Sequence, residues 1–161
     1  MESQAFLAAD LNTDGDLNVL DVIALINIIL FGLDKPTAPP ATAIISFANP
    51  ETDLIGAQRI PVTLKTDAAI AGLQLDLRYD PASVDLTGLL PSERMGEMHV
   101  KWQDLGGTVR LLIYGAPGQT LAPGDDTLFY LPVEVISDGG EITMEAFLSG
   151  DLRAQALNSE I

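Results

Sequence analysis

Residues 72–79 read Gly-Leu-Gln-Leu-Asp-Leu-Arg-Tyr. Leu73, Leu75, Leu77 and Tyr79 fall on one parity, and Gln74, Asp76 and Arg78 fall on the other. Only an extended strand turns its side chains through half a circle per residue, so this segment is a strand with one buried face. Strand-like runs recur at 43–48, 58–65, 70–79, 83–87, 96–103, 107–114, 127–136 and 141–148, with a further candidate at 151–156. Turn formers separate them: Asp80-Pro81, Gly106-Gly107, Pro117-Gly118, Pro123-Gly124 and Gly139-Gly140. Segments 108–114 and 128–136 are more continuously apolar, as central strands are. Many short strands with no helix between them predict a mainly β chain, a β-sandwich over residues 43–161. Pro61 has no N–H to give a ladder, so its strand is expected at an edge or beside a bulge.

The 161 residues are 47% apolar, enough for a sizeable core, and they contain no cysteine. Disulfides, thiol nucleophiles and cysteine-ligated zinc are therefore excluded. Acidic residues outnumber basic ones 23 to 8, for a formal charge of −15. Such a surface repels nucleic acid and anionic membranes and attracts cations.

The cation site is expected before the strands, in Asp10-Leu-Asn12-Thr-Asp14-Gly15-Asp16-Leu17-Asn18-Val-Leu-Asp21. Oxygen-bearing residues stand at loop positions 1, 3, 5, 7, 9 and 12, with glycine at 6. Calcium is a hard ion that takes six to eight oxygens, and this spacing wraps a loop around one ion. Asp10, Asn12 and Asp14 would give side-chain oxygens, and Asp16 its backbone carbonyl. Asn18 would act through water, and Asp21 would close the shell with both oxygens. Gly15 allows the sharp turn, and Leu17 is expected to point into a helix-side core. The plainer account is an acidic turn that caps a helix. Magnesium suits so complete a protein shell less well than calcium.

Residues 19–31 follow as a helix in which only Asp21 and Asn27 are polar. It should be buried on several sides. At 13 residues the run is too short to span a bilayer. Residues 35–42, Lys-Pro-Thr-Ala-Pro-Pro-Ala-Thr, predict an extended linker of roughly 25 Å.

The loop and the apolar-apolar-Phe-Gly that ends the run resemble a single dockerin calcium repeat over residues 10–32. Dockerins usually carry two repeats packed on each other; this chain carries one, and Val19 and Leu20 stand where Ser or Thr is common. Three parts follow: a dockerin-like calcium loop and helix at 1–34, the linker, and the strand domain. The strand domain resembles a cohesin, the module that binds dockerins, over roughly residues 45–148. The segments that carry this are residues 71–81, which end in Asp80-Pro81, and residues 107–115. A plain immunoglobulin-like sandwich is the alternative, and fold alone does not settle function.

The two resemblances together imply a calcium-dependent, non-catalytic assembly protein. The helix, through Val19, Leu20, Ile23, Ile26 and Leu30, would dock on a cohesin-like sandwich. The partner is expected to be another copy of this chain, giving head-to-tail rings or filaments, or another cohesin- or dockerin-bearing protein. Docking on the chain's own sandwich is the alternative that tethering favours. An extracellular or cell-surface setting suits calcium, although the first residues show no signal peptide. A second reading is a carbohydrate-binding module of an extracellular polysaccharide-handling system, with Trp102, Tyr114 and Tyr130 as a stacking face. His99 is the single histidine and has no partner for a zinc pair or a triad. The carboxylate pairs Glu93 with Glu97 and Asp125 with Asp126 read as solvated loop charge.

Overall fold

The structure is a computed structural model that describes residues 8–31, 41–137, 139–151 and 156–161. The α-helix α1 (Val19–Phe31), with the helical residues Ala8 and Ala9 before it, precedes eleven strands among these residues. They are β1 (Thr42–Phe47), β2 (Glu51–Thr52), β3 (Gln58–Thr66), β4 (Gly72–Tyr79), β5 (Val84–Leu86), β6 (Leu90–Pro91), β7 (His99–Asp104), β8 (Thr108–Tyr114), β9 (Gly124–Val135), β10 (Ile142–Gly150) and β11 (Asn158–Glu160). The linker expected at 35–42 lies outside the described residues except for Ala41 and Thr42, and Thr42 already opens β1.

Two sheets form the sandwich. One runs β11-β1-β3-β9-β5, with β2 added to β3 and β6 to β9. The other runs β10-β4-β8-β7. Every pairing is antiparallel except that of β1 with the chain's last strand, β11. Between the sheets, Ile45, Leu64, Leu73, Leu75, Leu111 and Phe129 are fully buried. The alternation in β4 is realised as expected: Leu73, Leu75, Leu77 and Tyr79 face this core.

Most expected strands appear, with differences that have local causes. The run expected at 96–103 starts later, because Glu93–Met95 forms a 3-10 turn that drops Met95 into the core. Of the last candidate, 151–156, residues 152–155 lie outside the described set, and the final strand is β11. Pro61 is not at an edge, since β3 lies between β1 and β9. The Pro61 carbonyl accepts the Ala48 N–H at 2.9 Å. Its nitrogen therefore faces a position just past the end of β1, where no ladder bond is lost. Beside it the register with β9 shifts between Val62 and Thr63, which leaves Leu128 as the extra residue of a bulge. The bulge turns both Leu128 and Phe129 into the core. The Leu128 carbonyl is satisfied by the Ser92 backbone N–H at 3.2 Å and hydroxyl at 2.8 Å.

Two polar anchors hold the connections. The Arg94 guanidinium donates to the carbonyls of Leu64, Asp126 (3.0 Å), Ala122 (3.2 Å) and Gly124 (3.2 Å), tying the 3-10 turn to β3 and β9. The Tyr79 hydroxyl donates to Asp104 Oδ2 at 2.6 Å, joining the end of β4 to the end of β7. This bond, more than burial, pushes the Tyr79 pKa from 10.0 up to about 12. A folded-state pKa above the unfolded value means stability that is fully present below pH 10 and is lost as pH rises through about 12. Unfolding in denaturant between pH 10 and 12 should therefore show a steeper loss of stability for the wild type than for Tyr79→Phe. Parallel pH profiles would show that the bond carries no such linkage.

Candidate functional site: the acidic loop, its helix and the outer sheet face

The loop turns on two left-handed residues, Thr13 at φ 60° and Gly15 at φ 90°. Glycine adopts this conformation without a Cβ penalty; Thr13 adopts it with its hydroxyl bonded to the Asn12 carbonyl at 2.7 Å. Two nearly buried carboxylates organise the loop. Asp10 accepts the N–H groups of Asp14 (3.2 Å) and Gly15 (3.1 Å). Asp21 accepts those of Leu11 (2.8 Å), Asn12 (3.4 Å) and Asn18 (2.8 Å). Asn18 Oδ1 in turn accepts the Leu20 N–H at 2.7 Å. Asn18 is thus the N-cap of α1, and Asp21 reaches back to the cap's own N–H, a reciprocal capping pair. Asn12 and Asp14 are linked by Nδ2 to Oδ2 at 2.7 Å, and the Asp16 carbonyl accepts Asn18 Nδ2 at 3.3 Å.

All six expected ligands therefore belong to one hydrogen-bonded network, with Asp10 attached to it through Asp14. Among the described residues, no three carboxylate, histidine or cysteine groups gather into a metal-holding cluster. The chemistry of the donor set nevertheless fits a hard cation. An ionised carboxylate accepts about four hydrogen bonds. Asp10 takes one N–H on each oxygen and keeps room for a cation on both; Asp21 takes two on Oδ1 and one on Oδ2, which leaves room on Oδ2 alone rather than on both oxygens as expected. Asp14 and Asp16 are exposed.

The helix lies on the sandwich of its own chain. Val19, Leu20, Ile23 and Ala24 are buried, and with them Ala71 at the head of β4. Leu11, Leu112 of β8 and Leu148 of β10 pack on the same cluster. Relative to exposure, each large side chain in it contributes about 1.5–3 kcal/mol. The receiving surface is the outer face of β10-β4-β8, on the far side of the sheet from the core. Ile26 is half-buried and borders a cleft of about 270 Å³ that Tyr114 and Pro117 also line. Leu30, expected in the same contact, has a side chain outside the described set.

Two expectations change. The helix is not buried on several sides: Val22 (54% exposed), Leu25 (47%) and Ile29 (70%) form a bare apolar stripe. Leu17, expected to point into a core, is 49% exposed and lines an open groove with Val22 and Leu25. One sheet covers one side of a helix, and on the other side the helical residues Ala8 and Ala9 line the groove with Leu17, Val22 and Leu25 without burying them.

The receptor residues Ala71, Gly72, Leu112 and Leu148 were not identified from sequence. Leu112 carried a signal: it breaks the alternation in Thr-Val-Arg-Leu-Leu-Ile-Tyr because both faces of β8 are covered, one by the core and one by α1. The same outer face also bears Arg78, Lys101 and Arg110, three of the chain's eight basic residues. Arg110 holds Asp76 through two bonds, Nε to Oδ1 at 2.8 Å and Nη2 to Oδ2 at 2.6 Å.

The aromatic residues do not make one stacking platform. Trp102 packs against the core, Tyr114 sits on the outer face beside His99, and Tyr130 is on the other sheet under the Arg59 guanidinium. Of the carboxylates set aside, Asp125 pairs with Lys65 at 3.7 Å and Glu97 accepts from Gln119 at 3.1 Å.

No family model matches the chain, and no curated protein matches it in sequence. Solved structures do. A non-cellulosomal cohesin from the archaeon Archaeoglobus fulgidus superposes with a TM-score of 0.56 at 17% identity, over 76% of this chain and 86% of that one. The structure of a type I cohesin–dockerin complex from Clostridium thermocellum gives 0.62 at 16% identity, over 74% and 93%. The cohesin module of a family 33 glycoside hydrolase from Clostridium perfringens gives 0.59 at 15% identity, over 76% and 92%. At these identities the likeness is one of fold, and in fold the strand domain of this chain is a cohesin-like β-sandwich.

Proposed function

We propose that this protein is a calcium-dependent, non-catalytic assembly module, in which an acidic loop and its helix dock on a cohesin-like sandwich. The observation that carries this reading is the packing of Val19, Leu20 and Ile23 on the outer face of β10-β4-β8. A sandwich whose solved neighbours include a cohesin in complex with a dockerin holds, on one face, the helix that follows the acidic loop, and this supports reading that loop, from its sequence, as dockerin-like. The charge pattern adds little. Three of the chain's few cations lie on this face; Arg110 and Arg78 are paired there with Asp76 and Glu145, so the charge attraction they add is small.

Calcium would be held by Asp10, Asn12, Asp14, Asp16, Asn18 and Asp21, and would supply the positive charge that lets Asp10, Asp14 and Asp21 share one loop. Asp21 and Asn18 also cap α1, so an ordered loop is an ordered helix start. Binding to the folded loop would stabilise the docked state by linkage. The same seat can take the helix of a neighbouring copy; repeated, this gives a heterologous, head-to-tail contact that closes into rings or extends as filaments. A calcium-rich extracellular or cell-surface setting suits this role, and a dockerin-type partner protein is the other occupant of the same class. Among the described residues, no helix is long and apolar enough to cross a membrane.

Calorimetric titration should show calcium binding to the wild type and at least about tenfold weaker binding to Asp14→Ala, in keeping with the loss of one carboxylate ligand. Equal affinities would remove calcium from the account. Light scattering over a range of protein concentration should show mass rising with concentration in calcium and a monomer in chelator. Ile23→Asp and Ile26→Asp should abolish the rise while the sandwich stays folded. A monomer at every concentration in saturating calcium would exclude assembly between copies.

A further inference from the structure

The recess under Ile23 is made of missing side chains. Gly72 opens β4, opposite Tyr114 of β8 on one side and Gly150 of β10 on the other. Ala71 precedes it, and Gly115, whose N–H bonds the Ala71 carbonyl at 3.0 Å, follows β8. Two neighbouring strands, β4 and β10, therefore meet in glycines at one end of the outer face, and Gly115 follows the Tyr114 that ends β8. The helix is seated over this place.

A Cβ added to Gly72 would stand 2.8 Å from Ile23 Cδ1 and 3.6 Å from Ile23 Cγ1. Carbon atoms pack at about 3.5–4.0 Å, so the first contact is an overlap. Nothing in the strand itself calls for glycine. Gly72 is not among the residues with positive φ, and the nearest other atom, the Ile113 carbonyl oxygen, would lie at an ordinary 3.4 Å. Glycine inside a strand weakens it, whereas a β-branched residue favours it. The cost to the sheet is matched by a benefit only at the helix.

We infer that Gly72 is the specificity-determining residue of this helix seat: its absent side chain admits the branched aliphatic side chain at the position of Ile23, and so selects α1 as occupant. The inference rests on the docking reading above and adds the determinant of partner choice. The seat has room for one helix, so the α1 of a second copy enters it only by displacing the resident one. A side chain that reaches as far as Cδ1 at the position of Ile23 fits over glycine at 72 without turning aside; valine or alanine there, which lacks that atom, does not call for glycine.

Amide hydrogen exchange on the full chain, dilute and with calcium, tests this through size exchange. Alanine at 72 can be relieved by turning the Ile23 side chain about its last torsion, so valine is the decisive substitution. Gly72→Val should speed exchange of the α1 amides by about tenfold to a hundredfold, the range that an over-packed contact produces. The β4 and β8 amides should not speed up, because valine suits the strand. Gly72→Val with Ile23→Ala should return much of the α1 protection. Should Gly72→Val fail to fold, Gly72→Ala with Ile23→Val, which adds one carbon and removes Cδ1, is the second arm; it should protect α1 better than Gly72→Ala alone. Unchanged α1 exchange in Gly72→Val, or no recovery in the paired variant of either arm, overturns the inference. The readout needs no assembly: a chain that never associates leaves it standing, and an associating chain whose α1 is indifferent to residue 72 overturns it alone.

Discussion

A helix whose side chains are apolar on nearly every side has to lie against something, and in this chain the outer face of a β-sheet receives it. That contact gives β4 and β8 two buried faces. Their inner residues, Leu73, Leu75, Leu111 and Ile113, fill the sandwich. Their outer surface carries Ala71, Gly72 and Leu112 under Val19, Leu20 and Ile23. Other features of the outer face follow from this sharing. The end of the sheet that holds the helix is small and apolar, while the rest is polar, with Asp76 and Arg110 locked together and Arg78 paired with Glu145 at 2.8 Å. The exposed side of the helix, Val22, Leu25 and Ile29, is what a single sheet leaves uncovered.

The loop and the seat are mechanically one unit. Asp21 closes the loop by accepting the Leu11 and Asn12 amides, and the same carboxylate accepts the Asn18 amide at the start of α1. Two residues on, Ile23 enters the recess over Gly72. A charge brought to the loop therefore acts within one helical turn of the packed contact. In physical terms this is how an ion could govern docking: by fixing the helix start that presents Val19, Leu20 and Ile23 in register.

The sandwich was legible in the sequence because period-two alternation is a local property, and β4 shows it without interruption. What was obscured came from contacts remote in sequence. The continuous apolar character of residues 108–114 marks a central strand, which β8 is, but it also reflects the helix on its outer face. Pro61 announced an irregularity; whether that meant an edge or a bulge depended on β1 ending at Phe47 and on Leu128 being extra in β9. The acidic loop is legible as a constellation of residue types, and hydrogen bonds connect its six residues, a property of the loop itself and not of an ion. Calcium ligation and helix capping ask for the same residue types at the same places, so the pattern alone does not separate them. Leu17 points into no core, because the residues beside it in the groove, among them Ala8 and Ala9, are too small to cover it. Gly72 carried no signal, since a glycine at a strand's first residue is ordinary until the helix above it is seen.

The central claim is that the helix after the acidic loop is seated on the cohesin-like sheet with Ile23 in the recess over Gly72. The most direct measurement is by NMR on a dilute, calcium-saturated sample with labelled isoleucine methyls: nuclear Overhauser contacts of the Ile23 Cδ1 methyl. The account predicts cross-peaks to the Gly72 α-protons and to the Ala71 and Leu112 methyl groups. An Ile23 methyl that shows contacts only within residues 8–31, in a protein whose sandwich is folded, would contradict it.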